Sequence, residues 1–150
     1  MSTILAGQRL NAEDIDLVPI DVEEVDNNVI TSTSYVLGTN PVSAFFIAPP
    51  SGRVKIQGWY TVQNSSATES CYGSWQVREG SLSTGTVVYD NGDGVAHRTS
   101  GTTLILAGAG RASIAFGLTP GTGYTAWLTF RVSGGTGTWH TMGLLVEPCM

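Results

Sequence analysis

Between Gly117 and Gly135 the chain reads GLTPGTGYTAWLTFRVSGG, the stretch that most narrows what it can fold into. A Pro-Gly turn opens it and a Gly-Gly turn closes it. Between the turns Ala126, Leu128, Phe130 and Val132 fall on one side of a period-2 run. Trp127, Thr129 and Arg131 fall on the other. Successive side chains of an extended backbone point to opposite faces, so this is a strand with one buried face.

The same grammar recurs from about residue 29 onward. In Arg53 to Asn64 the row Val54, Ile56, Gly58, Tyr60, Val62 alternates with Arg53, Lys55, Gln57, Trp59, Thr61. Further strands are expected over residues 28–37, 42–48, 71–79, 86–89, 95–99, 102–107, 112–118 and 139–146. Cys71, Gly73, Trp75 and Val77 share one face, as do Ile114, Phe116 and Leu118. Gly38 to Pro41, Pro49 to Gly52, Asp90 to Gly94, Gly108 to Gly110 and Gly134 to Gly137 punctuate them. Eight to ten short strands with no convincing helix predict an all-β fold. The expected architecture is a two-sheet antiparallel β-sandwich, jelly-roll-like, with an extended N-terminal arm.

That arm is expected over residues 1–27 and the sandwich over residues 28–150. Residues 1–30 hold seven acids and one base, a net of −6, whereas residues 31–150 hold five acids and six bases. The acidity therefore belongs to the arm, either to meet a basic partner surface or to keep a linker soluble. Its aliphatics, Leu5, Leu10 and Ile15 among them, call for burial against the domain or a neighbouring subunit. No basic patch marks a nucleic-acid partner. No apolar run is long enough to span a membrane, and no signal peptide is expected. Cys71 and Cys149 are read as a pair or as free thiols, with free thiols at least as well supported.

Chemistry-bearing patterns are sparse. His97 and His140 lack the companions a zinc site needs. The loop Asp90-Asn91-Gly92-Asp93-Gly94 is read first as a polar turn. Calcium held by Asp90 and Asp93 with donors from another loop is the less favoured reading. There is no GxSxG elbow, no marked carboxylate pair, and no lysine-bearing phosphate loop. An enzyme is not expected, and no cofactor or metal residue is assigned.

Phe45, Trp59 and Trp127 carry the main surface signal. Both tryptophans sit opposite the core row of a clean strand. Outward aromatics anchor a subunit interface or stack on a sugar, whereas a bulge that swaps the two rows would put them in the core. The interface set is therefore Leu5, Leu10, Ile15, Phe45, Trp59 and Trp127. The glycan-contact set is Trp59 and Trp127.

The opening AGQRLNAEDI resembles the start of short tail and minor structural proteins of actinobacterial tailed phages. The matching residues are Ala6, Gly7, Gln8, Arg9, Leu10, Asn11, Ala12 and Asp14. The phrases APPSGRVKIQG (48–58), LTPGTGYTAWLTFRVSGGTG (118–137) and LLVEP (144–148) resemble small phage jelly rolls, C1q/TNF-like in appearance. This resemblance implies a virion structural protein, capsid decoration or minor tail appendage, assembled in the host cytoplasm. It implies a homotrimer whose arm binds capsid or tail proteins. The alternative is a carbohydrate-binding or host-attachment module that meets a host surface glycan.

Overall fold

The computed structural model describes residues 19–24, 27–90, 92–94, 97–100 and 107–149. Its strands are β1 (Ile20–Glu24), β2 (Asn28–Ile30), β3 (Ser43–Ile47), β4 (Val54–Asn64) and β5 (Ser70–Glu79). Then come β6 (Val87–Asp90), β7 (His97–Ser100), β8 (Ala107–Ala115), β9 (Gly123–Val132) and β10 (Gly137–Pro148). A 3₁₀ turn, Gly92–Gly94, separates β6 from β7.

Two antiparallel sheets result. The first runs β1-β10-β4-β8 and the second β3-β9-β5-β6. β2 joins β10 on the border that β1 also occupies, and β7 joins β5 on the border that β6 occupies. If each broken border counts as one strand, there are eight strands in two four-stranded layers. Consecutive strands alternate between layers, except that β5 is followed by its own sheet neighbours β6 and β7, which is the strand order of a jelly roll. The expected fold class is the observed one.

The strand that opened the sequence reading is β9, central in the second sheet. Ala126, Leu128, Phe130 and Val132 are all buried between the layers. Val54, Ile56, Tyr60 and Val62 of β4 meet them from the first sheet. An aromatic cluster closes one end of the interior, with Phe130 and Trp139 ring centroids 5.1 Å apart and Tyr60 edge-on to both.

Two glycines make room for large side chains of the facing layer. On Gly73 of β5 a side chain would overlap the Tyr60 ring, and the Gly73 amide donates a hydrogen bond of 3.0 Å to the Tyr60 hydroxyl. Across from it, a Cβ on Gly58 would come within 2.8 Å of Leu128 Cδ2. Each sheet thus seats a large side chain of the other over a residue that has none.

Two buried carboxamides fix the turns. Asn28 donates to the Asn40 carbonyl at 2.8 Å and accepts from the Asn40 amide at 2.8 Å, tying β2 to the turn before β3. Asn64 donates to the Gly134 carbonyl and accepts from the Ser66 amide, joining the loops at one end of the sandwich.

Several expectations change. Ile114 and Phe116 are 39% and 64% exposed. The pairing of β8 with β4 sets Ala115 opposite Val54 and Ser113 opposite Ile56, so the odd residues face inward. Leu118 is buried, but beyond the strand. The strand expected over residues 28–37 is only β2 plus an isolated bridge from Val36 to Phe130. Of the expected arm, residues 20–24 are β1, so the sheet takes in chain from Ile20. Leu5, Leu10 and Ile15 lie outside the described residues, as do residues 102–106 of one expected strand. Cys71 and Cys149 are free thiols. The Cys71 sulfur meets Asn64 at one end of β4, whereas the Cys149 amide bonds Arg53 at the other. A strand of that length separates them by roughly 30 Å, far beyond disulfide reach.

The layer contact is testable. Gly73→Ala must displace the Tyr60 ring, and an overpacked core of this kind is destabilised by about 1–3 kcal/mol. Tyr60→Phe leaves the ring but removes the acceptor for a buried amide, and should cost on the order of 1–3 kcal/mol. Urea unfolding of both variants measures this. By the same method, a chain starting at Asn28 should be less stable than one starting at Pro19, because Ile20 and Val22 then no longer pack on the core.

Candidate functional site

The outward residues divide between two surfaces. On the second sheet, the outer row of β9 places Thr125, Trp127, Thr129 and Arg131 in line. β5 sets Arg78, Gln76, Ser74 and Tyr72 against them in register, and β3 sets Phe45 and Ser43 against Thr125 and Trp127. The first sheet carries Trp59 on its own outer row, between Gly143 of β10 and Gly110 of β8. Phe45 and Trp127 therefore share a face, and Trp59 lies on the opposite side of the sandwich.

The surroundings of these three aromatics differ. Phe45 is 48% exposed, with its ring over Gly123. Trp127 is only 8% exposed and its indole Nε1 has no hydrogen-bond partner among the described residues. That burial leaves no ring face open to a sugar. Trp59 is partly exposed, and its indole fills the space that a side chain on Gly143 would take. Aromatic cover of a sheet glycine shields backbone that would otherwise be open to water.

At one end of the second sheet the polar loop meets the strands. Asp93, in the 3₁₀ turn, receives Arg131 Nε at 3.1 Å and Nη2 at 2.8 Å on Oδ1, with Nη2 also 2.8 Å from Oδ2. The Tyr35 hydroxyl donates to the same Oδ1 at 2.7 Å. The Arg131 guanidinium lies 3.8 Å from the centroid of the Tyr72 ring and 5.3 Å from that of Tyr35. A planar cation gripped by a carboxylate fork and stacked on a ring is the geometry that favours arginine over lysine. Ser74 adds a 3.0 Å bond to the Gly92 carbonyl. Together these contacts hold the turn onto the sheet.

The electrostatics follow. The Tyr35 hydroxyl first, and then Arg131, hold the Asp93 carboxyl below the ordinary carboxylate range. Burial, reinforced by the hydrogen bond to Asp93, raises the Tyr35 phenol above its usual value. With both Asp93 oxygens on Arg131, a calcium ion there would have to displace a guanidinium. Asp90 is exposed, and its Oδ1 accepts from the Gly92 amide at 3.3 Å.

The histidines stand apart. The described backbone places His97 in β7, opposite Gly73. His140 lies at the irregularity of β10 between Trp139 and Met142, with Nδ1 2.8 Å from Asn27 Oδ1. No three His, Cys, Asp or Glu side chains cluster at metal-binding distance among the described residues. No described helix is long and apolar enough to cross a membrane.

Sequence reading missed the Arg131–Asp93–Tyr35 group. Its members are 38 and 58 residues apart, and no local spacing announces it. The one available signal was an arginine on the outer row of a Thr-rich strand.

The architecture defines a jelly-roll sandwich. No family model matches the chain, and no curated protein matches it. Among solved structures it is similar to the infectious bursal disease virus VP2 subviral particle, at 13% identity and a TM-score of 0.47 over 99% of this chain. The chain spans 37% of that VP2 chain. It is also similar to the CBM22-1 xylan-binding domain of Paenibacillus barcinonensis Xyn10C, at 9% identity, TM-score 0.42 and 87% of both chains. A third is the Eiger TNF structure from S. frugiperda, at 12% identity, TM-score 0.34, 86% of this chain and 93% of that one. These are likenesses of overall shape at low identity.

The grip on Asp93 carries a pH signature. The folded-state pKa is depressed, so its stabilisation is present above the unfolded value of about 3.9 and is lost as pH falls through the folded value. Asp93→Asn should therefore melt below the wild type at neutral pH, with the gap closing below about pH 4. Thermal melts across pH check this. Added calcium should leave the wild-type melting temperature unchanged.

Proposed function

We propose that this protein is an oligomeric structural component of a virion, a capsid decoration or tail appendage. Its copies contact one another through the borders of the sandwich, and its N-terminal arm holds other virion proteins. The observation that carries the self-association is the placement of the exposed apolar side chains. Phe45 and Ile47, 48% and 57% exposed, stand on the β3 border of the second sheet. Phe116 and Ile114 at the end of β8, with Val87 and Val88 of β6, are 39–64% exposed on the other border. Tyr89 links this second group. Its ring meets Phe116 edge-on at 5.8 Å, and its hydroxyl donates to the Ile114 carbonyl.

Apolar groups gathered in this way mark contact surfaces. Two unlike patches on opposite borders suit a head-to-tail contact, and such contacts close into a ring when the rotation permits. A trimer is the ring expected here. The resemblance of the AGQRLNAEDI opening and of the sandwich phrases to phage structural proteins supplies the virion setting. The surplus acidity of residues 1–30 suits a basic partner surface.

Light scattering coupled to size-exclusion chromatography tests the assembly. The wild type should run as a trimer, and Phe45→Asp and Phe116→Asp should each run as monomers. Mixed in equal amounts, the two variants should form a dimer, because one intact pair of patches survives between them. A wild-type monomer at every concentration would overturn the reading.

A further inference from the structure

The outer face of the first sheet is built unlike that of the second. Around Trp127, the second face is closed: Ser74, Gln76, Thr125 and Thr129 are all under 9% exposed. On the first, one row crosses the sheet as Glu23 of β1, Gly143 of β10, Trp59 of β4 and Gly110 of β8. Glycine on both sides keeps the relief low around the indole. Gln57 and Thr61 flank Trp59 along β4, each about 7 Å away on the same face. Both are partly exposed, while Asp21 and Glu23 stand exposed on the border strand. Thr61 Oγ1 already accepts the Thr141 amide at 3.1 Å, so its hydroxyl hydrogen is left to donate.

An apolar ring surface set among amide, hydroxyl and carboxylate groups matches a sugar, whose C–H face is apolar and whose rim is hydroxyl. We infer that the outer face of the first sheet binds a neutral, β-1,4-linked gluco-configured glycan, with one pyranose ring on Trp59 and its hydroxyls held by Gln57, Thr61 and Glu23. Equatorial substituents leave both faces of such a ring flat enough to lie on an indole. The charge selects against acidic sugars. Asp21 and Glu23 would repel a uronate, and Lys55, the cation on this face of β4, is paired with Glu147 at 2.5 Å. Cover for Gly143 alone explains the indole's inner contact. It does not explain the polar ring around its accessible part.

Tryptophan fluorescence gives a direct readout. Trp75, Trp127 and Trp139 are 2%, 8% and 0% exposed, so quenching by acrylamide reports on Trp59. Cellohexaose and chitohexaose serve as neutral probes and hexagalacturonate as the acidic control. At least one neutral probe should protect Trp59 from quenching, and the acidic one should not. Trp59→Ala should weaken binding, followed by calorimetry, roughly tenfold, the weight of one aromatic contact. Gln57→Ala should weaken it several-fold with an unchanged melting temperature. Failure of both neutral probes to protect Trp59, equal binding of the galacturonate, or full affinity in either variant would overturn the proposal. Should Trp59→Ala not fold, wild-type quenching and Gln57→Ala decide it.

Discussion

The two sheets close because each yields space to the other at one residue. Tyr60 projects from the first sheet onto Gly73 of the second, and Leu128 projects from the second onto Gly58 of the first. Sheets normally pack with their backbones about 10 Å apart, the thickness of two interdigitated side-chain layers. A tyrosine and a leucine can enter that space side by side only if the residue facing each has no side chain. The depression lined by Gly58, Tyr60, Gly73, Ser74, Trp75 and Leu128 has no room for a water molecule. The phenol also stays satisfied, because the glycine that makes room for the ring supplies the amide that bonds its hydroxyl. Packing and polar satisfaction meet in one contact, and the position of one layer over the other follows from it.

Much of this was legible from alternation alone. The inward rows of β4, β5 and β9 are the rows read from the sequence, because each of these interior strands carries an apolar row on one face and a more polar row on the other. Legibility failed where a strand is short or lies on a border. Ile114 and Phe116 look like core residues by composition. The register with β4 turns Ala115 inward instead, since Val54 and Ile56 are large enough to fill the interior opposite alanine and serine. Asn28 to Leu37 looks like one long strand. The Asn28 carboxamide bonds Asn40 and draws the chain away from the sheet after three residues.

The surface was half legible. Alternation placed Trp59 and Trp127 outward, and both project outward. It could not say which sheet each belongs to, because that depends on pairing between strands far apart in sequence. The two indoles consequently lie on opposite sides of the molecule, in unlike surroundings: one enclosed among threonines and a glutamine, the other spread over glycine. The Arg131–Asp93–Tyr35 group was invisible for a related reason. Long-range ion pairs leave no periodic trace, and the loop from Asp90 to Gly94 read first as a polar turn, with nothing in it to announce Arg131 as a partner.

Both broken borders have a further consequence. β1 and β2 share one side of β10, and β6 and β7 share one side of β5. A long, flat strand with free amides and carbonyls is a template on which another chain can add indefinitely. Borders made of pieces three to five residues long offer no such template. Asp21, Glu23 and Glu24 make the β1 piece a still poorer one. Pairing of backbone between copies is thus discouraged on these two borders and left to the other two, where β3 and the longer β8 end the sheets.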